Sequence, residues 1–298
     1  MRKETLGSRA FDMANILVML FILVVVLYPV LNIIATSLSG SRAVSMGSVS
    51  IWPKNFNLRA YEGIFKDRFI YTGYLNSILY SLGSTGIMLL FTSLFAYPLT
   101  ISGFVGKKFL TIFLMITMFF SGGMIPTYLL IRNLHLLDTL WVMIIPGAVG
   151  AYNVFLFRTF FMNIPSELKD AAHIDGANEV GVLFKVILPL SKPLLATFAL
   201  FGIVGSWNSW FEALIYLQDQ AKYPLQLILR NYLFTLDNNA IQGRVGAGNV
   251  AINSPGTTLD PKSVRMGVIV ITMFPIMVIY PFFQKYFTQG MFVGSIKG

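Results

Sequence analysis

The chain has 298 residues, of which 55% are hydrophobic and only 12% are charged. Soluble domains carry about 25% charged residues, so this composition is typical of a multi-pass membrane protein and excludes an ordinary soluble domain. The sequence has no cysteine and only two histidines, which excludes disulfides and thiolate chemistry and argues against a multi-histidine metal site. The net charge of +9 is expected for basic residues at membrane edges and does not require a nucleic-acid partner.

Hydropathy predicts an all-α integral membrane protein, a single transmembrane domain over residues 1–298 with six spans. Each span exceeds the roughly 20 residues needed to cross the hydrocarbon core. The first apolar run is too long for a cleaved signal, so we expect it to be retained. The predicted spans are residues 15–36, 75–101, 109–131, 139–161, 193–217 and 264–287.

Six spans place both termini on one side of the membrane. The 22 Lys and Arg residues divide equally between the two sides, so the total charge does not set the orientation. The short basic turn at Lys107 and Lys108 and the basic N-terminus favour cytoplasmic termini.

The third predicted span contains Gly122, Gly123 and Pro126, which weaken or remove helical hydrogen bonds. Two interpretations stay open: a kink that serves packing, or a broken helix that faces a cavity.

The polar 164–190 segment lies between the fourth and fifth spans and carries too many charges to cross a bilayer. Its sequence predicts two short helices on the membrane surface. We expect Ser166 to cap the first helix, Gly176 to end it and Pro189 to close the second. Val180, Leu183, Phe184 and Ile187 are predicted to share one face of that second helix.

The fifth span combines small and polar residues. Gly202, Gly205, Ser206 and Ser209 would permit close helix packing. Asn208 and Glu212 are predicted to be i, i+4 neighbours on one face of its helix. Trp207 and Trp210 are either residues of a transport path or anchors at the membrane interface.

The outer segment 218–262 has two parts. Residues 223–236 are amphipathic and predict a helix that lies on the outer face. Residues 237–262 are rich in Gly, Asn and Ser and predict a flexible loop, which is either a solvated connector or a functional segment.

No nucleotide-binding loop, nucleophile elbow or metalloprotease motif occurs in the sequence. No catalytic residues can be assembled, and no metal ligands are predicted. The chain is therefore expected to be a transport protein without enzymatic activity, and any energy must come from an ion gradient or another subunit.

The run from Asp170 to Ala177, followed by Ile187, Leu188 and Pro189, resembles the EAA loop of binding-protein-dependent ABC importer permeases. An Asp replaces the usual leading Glu, and the usual I-x-L-P is shortened to I-L-P. The upstream Pro165-Ser-Glu-Leu run and the Trp207-Asn208 pair are similar to the carbohydrate-uptake, maltose-permease-like branch. More narrowly, the chain resembles permeases that import oligosaccharides derived from pectin or alginate.

The resemblance implies a permease subunit of a heterodimeric importer in the bacterial inner membrane, with both termini cytoplasmic. It implies no cofactor in this chain, with ATP and magnesium bound by the partner ATPase. The expected partners are a second homologous permease chain, two ATP-binding subunits, an extracytoplasmic solute-binding protein, the oligosaccharide and membrane lipid, with no nucleic acid. An ion-coupled secondary transporter is the alternative.

The resemblance also implies three sets of site residues. The ATPase-coupling set is Glu167, Asp170, Ala171, Ala172, Asp175, Gly176, Ala177, Phe184 and Pro189. The substrate-pathway set is Tyr128, Trp207, Asn208, Trp210 and Glu212. The set for contact with the binding protein is Arg244, Gly246 and Asn249. Arg132, Arg230 and Arg244 are candidates for contact with acidic sugars, although surface roles would also explain them.

Overall fold

A computed structural model describes residues 6–242 and 260–293, which form helices joined by turns, with no strand among them. The α-helices, in chain order, are α1 Leu6–Ser37, α2 Ser41–Ser45, α3 Arg59–Phe65, α4 Arg68–Ala96, α5 Lys107–Phe119, α6 Met124–Asn133, α7 Ala151–Met162, α8 Ser166–Ile174, α9 Glu179–Val182, α10 Leu188–Leu190, α11 Lys192–Trp207, α12 Phe211–Tyr216, α13 Leu225–Gln242 and α14 Pro261–Val293. A π-helical turn, Leu183–Ile187, separates α9 from α10. Short 3-10 helices occupy Pro98–Thr100, Leu140–Met143 and Gln220–Lys222.

Three of the described helical segments are long and apolar enough to cross a membrane: Gly7–Ser37, Arg68–Thr100 and Pro261–Phe282. Two bent pairs raise the number to five if each pair is one span. In the first pair, the chain bends by 120° between Lys107–Phe119 and Met124–Asn133. In the second pair, it bends by 81° between Glu179–Leu190 and Lys192–Trp207. The all-helical membrane architecture is therefore confirmed, whereas the count of six spans stays a prediction.

The predicted third and fourth spans are not continuous helices. Between α5 and α6 the chain is non-helical, and Gly123 has a φ of 84°. Of the two interpretations left open for the paired glycines, the structure therefore shows a broken helix and not a kink within a continuous one. In the fourth span, the 3-10 helix at Leu140–Met143 is followed by turns until α7 begins at Ala151. Pro146 in that stretch cannot donate a backbone hydrogen bond, which explains the interruption.

The described residues fall into two compact units. The first contains residues up to Ile70 together with Asn231–Phe274, and the second contains Tyr71–Arg230 and residues from Pro275 onward. In the first unit, the Tyr232 hydroxyl donates to the buried Asp67 carboxylate. Close packing there depends on Gly267, since a Cβ on this residue would lie 2.8 Å from Ile64 Cδ1.

Two hydrophobic clusters lie among the described residues of the second unit. One buries Leu99, Phe157 and Ile187 together with neighbours from α5, α7 and α11. The other buries Tyr80, Val142 and Leu227 with neighbours from α6 and α12. These clusters hold the 164–190 segment and the start of α13 against α4, and both candidate sites lie in this unit.

Candidate coupling surface and substrate path

The first helix of the 164–190 segment, α8, has no buried residue. The structure places Ser166 inside the helix as its first residue, and the preceding Pro165 holds the N-cap position without a side-chain hydrogen bond. The prediction that Ser166 caps the helix is therefore wrong. At the other end, Gly176 N donates to His173 O at 3.0 Å and Ala177 N donates to Ala172 O at 2.9 Å. These two bonds form a Schellman motif, and Gly176 has the required positive φ of 84°.

The second helix of the segment packs through a different face from the one predicted. Val182, Leu183 and Ile187 are buried, whereas Val180 and Phe184 are exposed, Phe184 by 44%. Phe184 lies within the π-helical turn at Leu183–Ile187, whose wider i→i+5 hydrogen bonding rotates its side chains relative to an α-helix; Val180 lies in α9, before this turn. The helix continues through Pro189 and ends at Leu190, one residue beyond the predicted end.

Glu179 links the segment to α4. The Tyr97 hydroxyl donates to Glu179 Oε2 at 2.6 Å, and Tyr97 is only 5% exposed. The other carboxylate oxygen of Glu179 lies 3.6 Å from His173 Nε2, and His173 Nδ1 lies 3.1 Å from Ala177 O. One carboxylate thus contacts both the residue that follows α4 and the last turn of α8.

The predicted coupling residues fall into two groups. Ala172 and Ala177 are half-buried and pack against the first hydrophobic cluster. The exposed members are Glu167, Asp170, Ala171, Asp175, Gly176, Phe184 and Pro189. The corner of the segment therefore has an inner side that rests on the chain's own core and an outer side that faces away from it.

Sequence reasoning missed two residues of this surface. Ile174 is 87% exposed at the end of α8, so the tip of the segment presents a large apolar side chain next to the predicted coupling residues Asp175 and Gly176. Glu179 was recognised only as one of several charges. Glu179 directly follows Asn178, whose side chain caps α9 by accepting from Gly181 N at 2.8 Å. This N-cap is the signal in the sequence that could have located Glu179.

The predicted pathway residues do not all share one surface. Trp207 is 2% exposed, and its ring lies 5.9 Å from the ring of Tyr74. Tyr128 stacks on Tyr216 at 6.3 Å and packs against the second cluster. Asn208 and Trp210 are exposed, Trp210 by 38%.

Asn208 and Glu212 do not lie on one helical face, so that prediction is wrong. The helix α11 ends at Trp207, with Asn208 as its C-cap, and α12 begins only at Phe211. Glu212 instead accepts a hydrogen bond from Ser209 Oγ at 2.5 Å. Of the small residues in this region, Gly202 does permit close packing, because a Cβ there would lie 2.8 Å from Thr85 Oγ1.

An ion pair between Asp138 and Lys222 closes the loop that follows α12. Lys222 Nζ lies 2.8 Å from Asp138 Oδ2 and also donates to Asp138 O at 2.7 Å. Asp138 Oδ1 accepts from the backbone N–H groups of Gln218 and Asp219, each at 3.0 Å. The hydrogen bond from Lys222, followed by those two backbone bonds, lowers the pKa of Asp138 to about 2.

A helix is present where residues 223–236 were predicted to form one: α13 runs from Leu225 to Gln242, and its place on the outer face stays a prediction. The predicted contacts with the binding protein, Arg244, Gly246 and Asn249, lie outside the described residues.

Comparison with known proteins identifies the family. A family model described as the binding-protein-dependent transport system inner membrane component matches residues 70–293. Protein LplC of Bacillus subtilis (strain 168) is 40% identical over 295 residues, which cover 99% of this chain and 97% of LplC. The polygalacturonan/rhamnogalacturonan transport system permease protein YtcP of the same organism is 36% identical over 291 residues, covering 98% of this chain and 99% of YtcP.

A crystal structure of a bacterial ABC transporter involved in the import of the acidic polysaccharide alginate contains a chain with the same fold. The TM-score is 0.86 at 31% identity, and the alignment covers 96% of this chain and 100% of that chain. The family match over residues 70–293 and these similarities agree with three features of this chain: its exposed charged 164–190 segment, its all-helical membrane fold and the lack of a nucleotide-binding motif in its sequence. The chain belongs to the binding-protein-dependent ABC transporter permeases, as an inner-membrane permease component and not as the ATPase subunit.

Proposed function

We propose that this chain forms half of the transmembrane path of an ATP-driven importer for acidic oligosaccharides and that its 164–190 segment docks on the ATPase. The observation that carries the proposal is the two-sided geometry of that segment. Val182, Leu183 and Ile187 hold it against the core of the second unit, whereas α8 has no buried residue and is exposed at most of its positions. A helix with no buried residue and an apolar Ile174 at its tip suits a groove on a partner protein.

The same contacts indicate how closure of the ATPase would act on the membrane helices. ATP and magnesium bind to two partner ATPase subunits, whose closure displaces α8. Because Glu179 hydrogen-bonds Tyr97 beside the end of α4, this displacement acts on a membrane helix. Alternation between inward-open and outward-open states is then a population shift driven by ATP.

The substrate class is inferred from the relatives. YtcP is named as a permease for polygalacturonan and rhamnogalacturonan, and the similar crystal structure belongs to an importer of alginate. Both kinds of polysaccharide contain acidic sugars, so we assign acidic oligosaccharides to this chain. A solute-binding protein would deliver them on the outer side, and a second, homologous permease chain would complete the path. Both termini of this chain would then be cytoplasmic.

The docking surface is tested by the substitution Ile174→Asp in the complete transporter. The added carboxylate should be tolerated in the isolated chain, because Ile174 is exposed, but it would have to be buried in the ATPase groove. We expect recovery of the ATPase with the purified membrane chains, and ATP-dependent uptake into proteoliposomes, to fall about tenfold or more.

The matched control is Val105→Asp, which adds the same charge at a fully exposed valine in the turn before α5. In the proposed topology this turn is also cytoplasmic, and the control should keep native docking and uptake. Equal losses in both variants, or no loss at Ile174, would count against the docking surface. Uptake that persists with a hydrolysis-deficient ATPase and stops when the ion gradients are collapsed would instead indicate a secondary transporter.

A further inference from the structure

Arg230 lies on an aromatic ring of the proposed path. Its guanidinium carbon is 4.8 Å from the centre of the Trp210 ring, which is a cation–π distance. One helical turn earlier, Gln226 Nε2 lies 3.4 Å from Asn208 Oδ1. Gln226 and Arg230 are i, i+4 neighbours on α13 and therefore share a face. That face meets the non-helical residues between α11 and α12.

The start of α13 is held firmly against α4, which fixes the position of Arg230. Leu225 N donates to Ser77 Oγ at 2.8 Å, and Asn76 Nδ2 donates to Ala221 O at 2.8 Å. Gly73 permits this close approach, because a Cβ there would lie 2.5 Å from Ile228 Cδ1 and 3.3 Å from Leu225 Cα. The arginine is thus placed by a packed helix and not by a loop.

The geometry suits recognition of a carboxylate. The guanidinium of an arginine carries its N–H groups in a planar fork, which matches the two oxygens of a carboxylate. The amides of Asn208 and Gln226 supply donors and acceptors of the kind that sugar hydroxyls need. The nearby Glu212 carboxylate accepts from Ser209 Oγ at 2.5 Å. Arg230, Trp210, Asn208 and Gln226 thus combine a cation, an aromatic ring and two amides, whereas Glu212 adds a carboxylate that is hydrogen-bonded to Ser209.

We infer that Arg230, held over the Trp210 ring beside Gln226 and Asn208, forms a subsite that binds the carboxylate of an acidic sugar during transport. The inference deepens the proposed function and rests on it. Arg230 is then a specificity-determining residue that separates acidic oligosaccharides from neutral ones of the same size. Trp210 orients the guanidinium and offers apolar area beside it.

The test compares trigalacturonate with its methyl ester, which has the same rings but no carboxylate charge. Binding of each sugar is measured on the purified membrane assembly without the binding protein, so that selection by the binding protein does not enter. We expect the native assembly to prefer the acid and Arg230→Met to weaken binding of the acid about tenfold or more. Binding of the ester should change less than about twofold. Arg230→Lys should lie between, because it keeps the charge but loses the fork and the stacking.

The matched control is Arg42→Met, which removes the same charge from an exposed arginine in α2. No preference for the acid in the native assembly, equal losses for acid and ester in Arg230→Met, or the same effect in Arg42→Met would each overturn the subsite. ATP-dependent uptake into proteoliposomes with the binding protein is measured in parallel. If the native assembly takes up no oligosaccharide, the proposed function itself is refuted. If the native assembly does take up oligosaccharides and Arg230→Met leaves the acid-to-ester ratio unchanged, only the subsite is refuted.

Discussion

The Tyr97 hydroxyl gives the sharpest test of how the 164–190 segment acts on the membrane helices. Tyr97→Phe removes only the oxygen that donates to Glu179 at 2.6 Å and leaves the buried ring in place. Hydrogen bonds to charged groups contribute about 1.5–3 kcal/mol, and the half-exposed Glu179 side chain places this bond near 1.5 kcal/mol. Since about 1.4 kcal/mol is a factor of ten in an equilibrium, we expect about a tenfold loss of coupling.

The assay measures ATP hydrolysis and sugar uptake in the same proteoliposomes. In Tyr97→Phe, hydrolysis stimulated by the loaded binding protein should stay within about twofold of native, because α8 still docks on the ATPase. Sugar transported per ATP should fall about tenfold. Glu179→Gln keeps an acceptor oxygen and should give a smaller loss. The matched control is Tyr152→Phe, which removes the same hydroxyl from an exposed tyrosine on α7 and should keep the native ratio.

Two results would refute this reasoning. A native ratio of sugar to ATP in Tyr97→Phe would show that the hydrogen bond does not transmit the motion. A parallel fall of hydrolysis and uptake, with a lower unfolding temperature, would show that Tyr97 only stabilises the fold.

Three further predictions follow from the second unit. Lys222→Met should raise the pKa of Asp138, which is about 2 in the native protein. A lowered carboxyl pKa stabilises the fold above about pH 4, and this stabilisation is lost as the pH falls toward 2. The native protein should therefore unfold at a higher temperature than the variant at neutral pH, and this difference in unfolding temperature should become smaller in acid. Gly73→Leu should destabilise the protein by about 1–3 kcal/mol in thermal unfolding, because backbone and side-chain atoms of α13 occupy the space that the new side chain needs. The control Gly86→Leu should have near-native stability, because no atom of a neighbouring residue lies within 4 Å of a Cβ at that position. Gly176→Val should cost about 1–2 kcal/mol of backbone strain and reduce ATP-dependent uptake. Gly176→Asn should retain most of the native uptake, because asparagine tolerates a positive φ. Equal uptake in the two variants would contradict a role for the backbone conformation at Gly176.

The sequence predicted those features that depend on local chemistry. Gly176 ends α8 because a Schellman motif needs a positive φ, and the paired glycines before α6 interrupt the third span for a similar reason. The amphipathic pattern after Tyr223 predicted α13. In each case the determining residues lie within a few positions of the feature that they produce.

Features that depend on tertiary packing were not predictable from the sequence. The π-helical turn at Leu183–Ile187 changes which side chains are buried, and it forms where the segment meets α4 and α7. The end of α11 at Trp207 separates Asn208 from Glu212, and Trp207 packs there against Tyr74 of α4, which is remote in the sequence. The contact of Arg230 with Trp210 depends on where α13 packs on α4, which no local pattern specifies.

The polar stripe on α4 explains how the two candidate sites are connected within one unit. Gly73, Asn76, Ser77 and Tyr80 recur at helical spacing, and through them α4 holds the residues that begin α13; the Tyr80 hydroxyl, for example, donates to Lys222 O at 2.8 Å. Tyr97 lies about 26 Å further along at 1.5 Å per residue, where it binds Glu179. An α-helix resists stretching because every turn is hydrogen-bonded, so we expect a displacement at Glu179 to reach the start of α13. The same helix would therefore carry motion from the docking surface to the proposed carboxylate subsite, although the two share no residue.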